Sequence, residues 1–255
     1  DADRVAIFAA DHVYKMDVEQ MMAYHIDKKA DITVAANVVP SSEASAFGCI
    51  ETDAGGRITG FVEKPEIPPE IPGKPGFSYV SMGNYIFERE ILEESLIEDA
   101  ALPTSHDFGR DIIPKLVQSS RVFAYDFSGN KLPGKDSSYW REDSPYWRDV
   151  GTIGAYWNAH MDLLQHDSEM TFFNPKWPIR TVSYADPPSY VCPAEGRSCN
   201  VQSTLAAEGS RVLGSNVESS VLSRNCVMMP GSEVEESIIG EGVVIGENCR
   251  LRKVI

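Results

Sequence analysis

The 255-residue sequence contains no apolar run approaching the length of a membrane span, so no membrane partner is expected. Its five cysteines, Cys49, Cys192, Cys199, Cys226 and Cys249, form no Cys-x-x-Cys pair and have no histidine nearby in sequence. That excludes a zinc ribbon and gives no disulfide framework, so reduced thiols of a cytoplasmic protein are expected. Positive charge is scarce: 23 Lys and Arg stand against 38 Asp and Glu, for a net charge of −15. A nucleic-acid surface is excluded on that ground, whereas small anionic ligands need only a few local lysines. Phosphate-cradling loops of the Gly-x-x-x-x-Gly-Lys or Gly-x-Gly-x-x-Gly kind are absent, as is any Ser/His/Asp or Cys/His constellation. The opening Asp1-Ala-Asp-Arg has no basic region or cleavage site, so no signal peptide is expected.

What is present begins with Val5–Ala10, an unbroken apolar run that reads as a parallel strand buried on both faces. Asp11 follows at its end. Ligands of open α/β sheets bind outside the carboxyl ends of strands, so Asp11 either serves a metal or phosphate site or merely starts a turn. Asp17 caps a helix carrying Met21, Met22 and Ile26. Residues 32–39 form a buried strand, and residues 49–64 a hairpin turning at Asp53-Ala-Gly-Gly. A strand at 79–87, a helix at 90–98, a helix near 112–117, a strand at 122–126, a polar loop running to Pro145 and a helix at 153–164 complete an α/β layer architecture.

The tail has a different period. Aliphatic residues Val221, Val227, Ile239, Ile245 and Leu251 recur every six positions, with Glu233 the one miss. Small or modest side chains precede them by two: Ser219, Asn225, Ser237, Val243 and Cys249. Six fits neither helix nor antiparallel strand, but it fits the coils of a parallel β-helix. The division expected is residues 1–166 for the α/β part, a proline-rich linker at 167–200, and a β-helix at 201–255.

Several residues admit two readings. Glu63 and Lys64 end a strand in Phe-Val-Glu-Lys-Pro. They are either a solvated edge pair, or a lysine for phosphate beside a glutamate for sugar hydroxyls. Asp149, in Tyr-Trp-Arg-Asp-Val-Gly-Thr, caps the following helix or holds magnesium with Asp11. Arg148 pairs with Asp149 or meets a phosphate, and Asp107 is an N-cap or a hydroxyl acceptor.

Taken together, Asp-His-Val-Tyr-Lys-Met-Asp (11–17), Ser-Ala-Phe-Gly (45–48), Phe-Val-Glu-Lys-Pro (61–65), Ser-Met-Gly-Asn-Tyr-Ile-Phe (81–87), His-Asp-Phe-Gly-Arg-Asp (106–111) and Tyr-Trp-Arg-Asp-Val-Gly-Thr (146–152) resemble the sugar-nucleotide pyrophosphorylases, in particular the bacterial ADP-glucose pyrophosphorylases. The resemblance implies a nucleotide-diphospho-sugar transferase fold, a Rossmann-like mixed sheet present in part, followed by a left-handed parallel β-helix. It implies that ATP and glucose 1-phosphate are the substrates and Mg2+ the cofactor. Asp11 and Asp149 would carry the metal, and with Lys64 on the sugar phosphate they would form the catalytic set. Gly48, Glu63, Lys64, Ser81, Tyr85, Asp107, Phe108 and Trp147 would bind the sugar phosphate. A homotetramer is expected of the complete protein. The family's Gly-rich loop and the end of its β-helix are missing, so the chain is expected to be a piece of a longer protein. Ala10 stands where the family has glycine, which puts the room beside Asp11 in doubt. A non-catalytic regulatory subunit, or a pyrophosphorylase for another nucleotide or sugar, remains the alternative. A hexapeptide acyltransferase is disfavoured because no histidine follows His166.

Overall fold

Period-two alternation in the first of two units, Asp1–Leu132, builds a six-stranded mixed sheet. The computed structural model describes residues 2–134, 146–166 and 168–255. Most of the polar loop expected before Pro145 lies outside them. In chain order the unit contains β1 (Arg4–Phe8), a short strand β2 (His12–Tyr14), α1 (Val18–Asp27), β3 (Ile32–Pro40), α2 (Ser41–Ala44), β4 (Gly48–Thr52), β5 (Ile58–Glu63), β6 (Phe77–Glu88), α3 (Arg89–Ala100), a π-helical turn (Phe108–Ile112), α4 (Ile113–Ser119) and β7 (Val122–Asp126).

The sheet order is β5-β4-β6-β3-β7, with β1 on the second half of β6. Only β3 and β7 run parallel. The 12-residue β6 is the organising strand, flanked by β3 on one side and by β4 and β1 in succession on the other. The first strand departs from expectation: β1 is antiparallel to β6 and only partly buried, with Phe8 40% exposed. Among the described residues β1 pairs with β6 alone, so its other edge carries no strand, which an apolar run alone cannot reveal. The run that is buried on both faces is β3, whose Ile32–Ala36 are all inaccessible. Ile32, Val34, Ile50, Ile58, Phe87, Ile113 and Val122 form the core over which α3 and α4 pack.

Helix signals act where the sequence places them. Asp17 caps α1 by accepting from the Glu19 N–H, and Pro114 sits in the first turn of α4, where its missing donor costs nothing. Gly56, at φ +82°, closes the β4–β5 turn.

The second unit, Pro133–Ile255, holds a short strand at Trp147–Asp149, α5 (Ile153–Asp162) and a three-sided parallel β-solenoid. One face stacks residues 200–202, 216–218, 233–235 and 250–252. The second stacks 205–206, 221–222 and 238–239, and the third 190–192, 211–213, 227–228 and 244–245. The first rung, Tyr190–Cys192, thus falls within the stretch expected as linker.

Glu233 pairs with Asn216 on one side and Arg250 on the other, so a coil takes 17 residues rather than three sixes. This shifts the inward positions. Val217, Leu222, Met228, Val234, Ile239 and Ile245 fill the prism, whereas Val221 and Val227 are only half-buried. The Glu233 miss disappears because Val234 is the residue that points in. Small side chains still precede the inward residue by two, as Ser215, Ser220, Cys226, Ser232 and Ser237, all buried. Their hydroxyls bridge successive coils: Ser232 Oγ donates to Ser215 Oγ at 3.1 Å, and Ser220 Oγ accepts from the Ser237 N–H at 3.1 Å. Buried hydroxyls without partners would each cost about 1–3 kcal/mol. Ser219 and Asn225 are instead left-handed corners, at φ +47° and +57°.

Candidate functional site

Most of the residues singled out for sugar phosphate lie in the first unit, at the ends of β4, β5 and β6 and at the π-turn. Gly48 opens β4 directly opposite Glu63, the last residue of β5. A β-carbon on Gly48 would stand 2.9 Å from Glu63 Oε2 and 2.9 Å from Phe61 Cζ, and one on Gly109 would stand 3.3 Å from both Glu63 Oε2 and Asp107 Oδ1. The Glu63 carboxylate therefore sits in a slot between two backbones bare of side chains, with Asp107 Oδ1 against the same bare position of Gly109.

Lys64 has φ +50°. Adjacent residues of a regular strand point to opposite faces. The left-handed step breaks that alternation and brings the Lys64 ammonium to 3.9 Å from Glu63 Oε1, with the lysine side chain largely exposed. Its backbone N–H donates to the Phe47 carbonyl at 3.0 Å, which holds the turn.

Ser81 and Tyr85 lie on β6, their hydroxyl oxygens 3.5 Å apart. The buried Tyr85 ring packs against Phe108 at 5.6 Å and Phe87 at 6.2 Å. Burial raises the Tyr85 phenol above its ordinary value, and the negative charges of Asp107 and Glu63 add to the rise. Tyr85 is thus a neutral hydroxyl able to donate. Asp107 does cap the π-turn: its Oδ1 accepts from the N–H groups of Gly109 at 2.8 Å and Arg110 at 2.9 Å. Its Oδ2 takes no hydrogen bond among the described residues, so capping and hydroxyl recognition are compatible.

Asp11 lies just beyond β1 with its carboxylate 65% exposed. His12, which the sequence reading passed over, is held beside it. The Met82 carbonyl can only accept, so the 2.6 Å contact puts a proton on His12 Nδ1, and Nε2 stands 3.5 Å from Asp11 Oδ1. The Asp-His pair immediately after an apolar run was the available signal. Ala10 is exposed, and the close approach falls one residue earlier, where a β-carbon on Gly83 would meet Ala9 Cβ at 2.9 Å.

In the second unit, Trp147 opens and Asp149 closes the short strand before α5, both half-buried. Asp149 is not the cap of α5. Thr152 is, accepting from the Ala155 N–H, while Asp149 Oδ1 accepts from the Gly151 N–H at 2.7 Å. Arg148, though exposed, pairs with Asp162 instead of Asp149: its Nε donates to Asp162 at 2.5 Å, and Tyr146 donates to the same oxygen at 2.9 Å. Hard carboxylate oxygens of the kind Asp11 and Asp149 offer suit a small divalent cation that keeps several waters.

The five cysteines are free. No helix among the described residues is long and apolar enough to cross a membrane.

A family model described as "Nucleotidyl transferase" matches residues 1–166, and one described as "GlmU-like, C-terminal hexapeptide" matches residues 186–255. Over 256 residues the chain is 46% identical to "Glucose-1-phosphate adenylyltransferase 1" of Vibrio parahaemolyticus, with 100% of this chain and 62% of that protein covered. It is 45% identical to "Glucose-1-phosphate adenylyltransferase" of Aliivibrio fischeri strain MJ11, with the same coverage. Identity to the protein of that name from Thermodesulfovibrio yellowstonii is 42%, over 99% of this chain and 60% of the relative. The chain thus spans about three-fifths of the length of these relatives.

Proposed function

Because this chain belongs to the nucleotidyl transferase family, we propose that it serves the synthesis of ADP-glucose and pyrophosphate from ATP and glucose 1-phosphate. The observation that carries this reading is the slot holding Glu63 between Gly48 and Gly109, with the Lys64 ammonium beside it. A carboxylate fixed among hydroxyl-bearing Ser81 and Tyr85 accepts from sugar hydroxyls, and an exposed ammonium one residue away grips a phosphate on the same ligand. The names of the relatives agree with it.

In this reading an oxygen of the sugar phosphate attacks the α-phosphorus of ATP in line. The bond from that phosphorus to the bridging oxygen breaks, and pyrophosphate leaves with the electron pair. The nucleophile is already ionised at neutral pH, so no side chain need remove a proton. What the chain contributes is position and charge. Lys64 neutralises the sugar phosphate, while Glu63 and Asp107 fix the sugar through hydroxyls. Phe108 and Tyr85 supply an apolar wall, Ser81 a hydroxyl, Gly48 a close backbone, and Trp147 a further face. Asp11 and Asp149 would hold Mg2+, which supplies charge neutralisation to the phosphates when bound. A tetramer and a cytoplasmic location belong to the same proposal, the latter supported by five unpaired thiols.

The test is product formation by the complete protein with ATP, UTP, GTP and dTTP against glucose 1-phosphate. ADP-glucose from ATP alone is the expected result. A preference for another nucleotide overturns the assignment, and product appearing only with a catalytic partner subunit makes this chain the regulatory one.

A further inference from the structure

Asp99 is an odd residue for its place. It lies in the last turn of α3, where the helix dipole disfavours an anion, and its side chain is only 5% exposed. Nothing in that turn is basic. The carboxylate is nevertheless fully engaged: Oδ1 accepts from the Thr104 hydroxyl at 2.9 Å and lies 3.6 Å from Lys115 Nζ, while Oδ2 lies 2.7 Å from His106 Nδ1. The hydrogen bond to His106 is the main reason its carboxyl sits below the ordinary carboxylate range.

His106 is odd too. It has φ +57°, a conformation that costs a non-glycine residue of order 1–3 kcal/mol and persists only where its surroundings impose it. The next residue is Asp107, whose N–H donates to Asp111 Oδ2 at 3.1 Å. Asp111 also accepts from the Ser105 hydroxyl on that oxygen. Four consecutive residues, Thr104 to Asp107, are therefore each tied to one of two carboxylates. The segment they fix delivers Asp107 and Phe108 to the sugar site, on a π-helical turn of a kind frequent at functional sites.

We propose that Asp99, acting through His106, is a positioning residue for the sugar-recognition segment, setting where Asp107 Oδ2 and the Phe108 ring stand. The inference rests on the function proposed above for that site. Asp99 and His106 touch no substrate themselves. Their loss leaves Asp107 in place in the sequence but free to wander, which weakens sugar binding without altering the nucleotide's contacts.

The experiment uses the complete protein with Asp99→Asn, His106→Asn and, as the mildest lesion, Thr104→Val. Asparagine tolerates the left-handed conformation, so the histidine variant tests the contact rather than the backbone. Lys115→Ala is the control: it removes a contact to the same carboxylate from α4 but leaves Thr104 and His106 in place. Asp99→Asn and His106→Asn raise the KM for glucose 1-phosphate about tenfold, the loss of one charge-assisted hydrogen bond, and Thr104→Val raises it less. KM for ATP and kcat stay within about twofold. Lys115→Ala lowers the melting midpoint without that split. Equal changes in every kinetic parameter, or the same KM rise in Lys115→Ala, overturn the proposal in favour of plain structural support. Amide exchange at Gly109 and Arg110 reads the same question without substrate. Faster exchange in Asp99→Asn supports the proposal and unchanged exchange overturns it, even if the wild-type protein proves to act on a different sugar.

Discussion

Gly48 and Glu63 face each other across the β4–β5 ladder so closely that a single methyl group on Gly48 would press on the Glu63 carboxylate at 2.9 Å. Phe61 closes the other side of that space at the same distance, so the methyl group has nowhere to go. Gly48→Ala in the complete protein therefore displaces Glu63, costing about 1–3 kcal/mol of stability through overpacking. On the reaction proposed above, KM for glucose 1-phosphate rises about tenfold, because misplacing a positioning group by about 1 Å is expensive. Steady-state kinetics with varied sugar phosphate check this. An unchanged KM would remove Glu63 from the sugar site.

Lys64→Ala and Asp149→Asn separate binding from turnover. Removing the ammonium raises KM for glucose 1-phosphate by about two orders of magnitude, with kcat little changed. Converting Asp149 to an amide keeps its shape and its bond to the Gly151 N–H but removes a negative charge. Turnover falls by about two to three orders of magnitude, as for other losses of electrostatic stabilisation. Small, equal effects on both parameters in both variants would count against these roles.

His25 makes stability depend on pH. The ring is inaccessible, with Nδ1 2.8 Å from the Thr33 hydroxyl and Nε2 3.3 Å from Glu88. Burial lowers its pKa below the ordinary 6.5, against the opposing pull of Glu88. The unfolded chain then binds a proton that the folded chain does not, in the window below pH 6.5. Stability is complete above that window and is lost as pH falls through it. Urea midpoints drop between pH 7.5 and 5.5 in the wild type, and His25→Gln flattens that slope. Equal slopes in both proteins would mean the imidazole does not contribute.

The register of the solenoid is testable in adjacent residues. Leu222 points into the prism and Val221 does not. Leu222→Ala costs about 2–5 kcal/mol, whereas Val221→Ala costs less than about 1. Thermal unfolding of both variants decides it, and the reverse order would restore the strict six-residue frame.

The two halves of the chain were legible to different degrees. Caps, turns and the buried β3 follow from local chemistry, and Asp17, Pro114 and Gly56 act where their types require. Partner choice is not local, so the antiparallel β1 and its open side could not be read from Val5–Ala10. The hexapeptide pattern announced a solenoid correctly but misplaced its first two registers. A coil that drops one residue moves every earlier position by one, and Val221 and Val227 satisfy an aliphatic pattern as well as Leu222 and Met228 do. At the site, Asp107 looked like a choice between cap and ligand, yet two carboxylate oxygens leave room for both. Lys64 was readable only as a strand-end residue, since its left-handed turn depends on the Phe47 carbonyl, seventeen positions earlier and just before the paired strand β4. Arg148 misled because its true partner, Asp162, lies on the far end of α5.

The left-handed corners at Ser203, Ser219, Glu236 and Lys253 lie one above another at spacings of 16 and 17 residues. The first of those circuits is one residue shorter than the two that follow, yet the strands above and below it stay in register, so a change of one residue is taken up within a single side of the prism. Length in this half of the chain is thus negotiable one residue at a time, provided that the slack falls between two corners and leaves the strands on either side of it aligned.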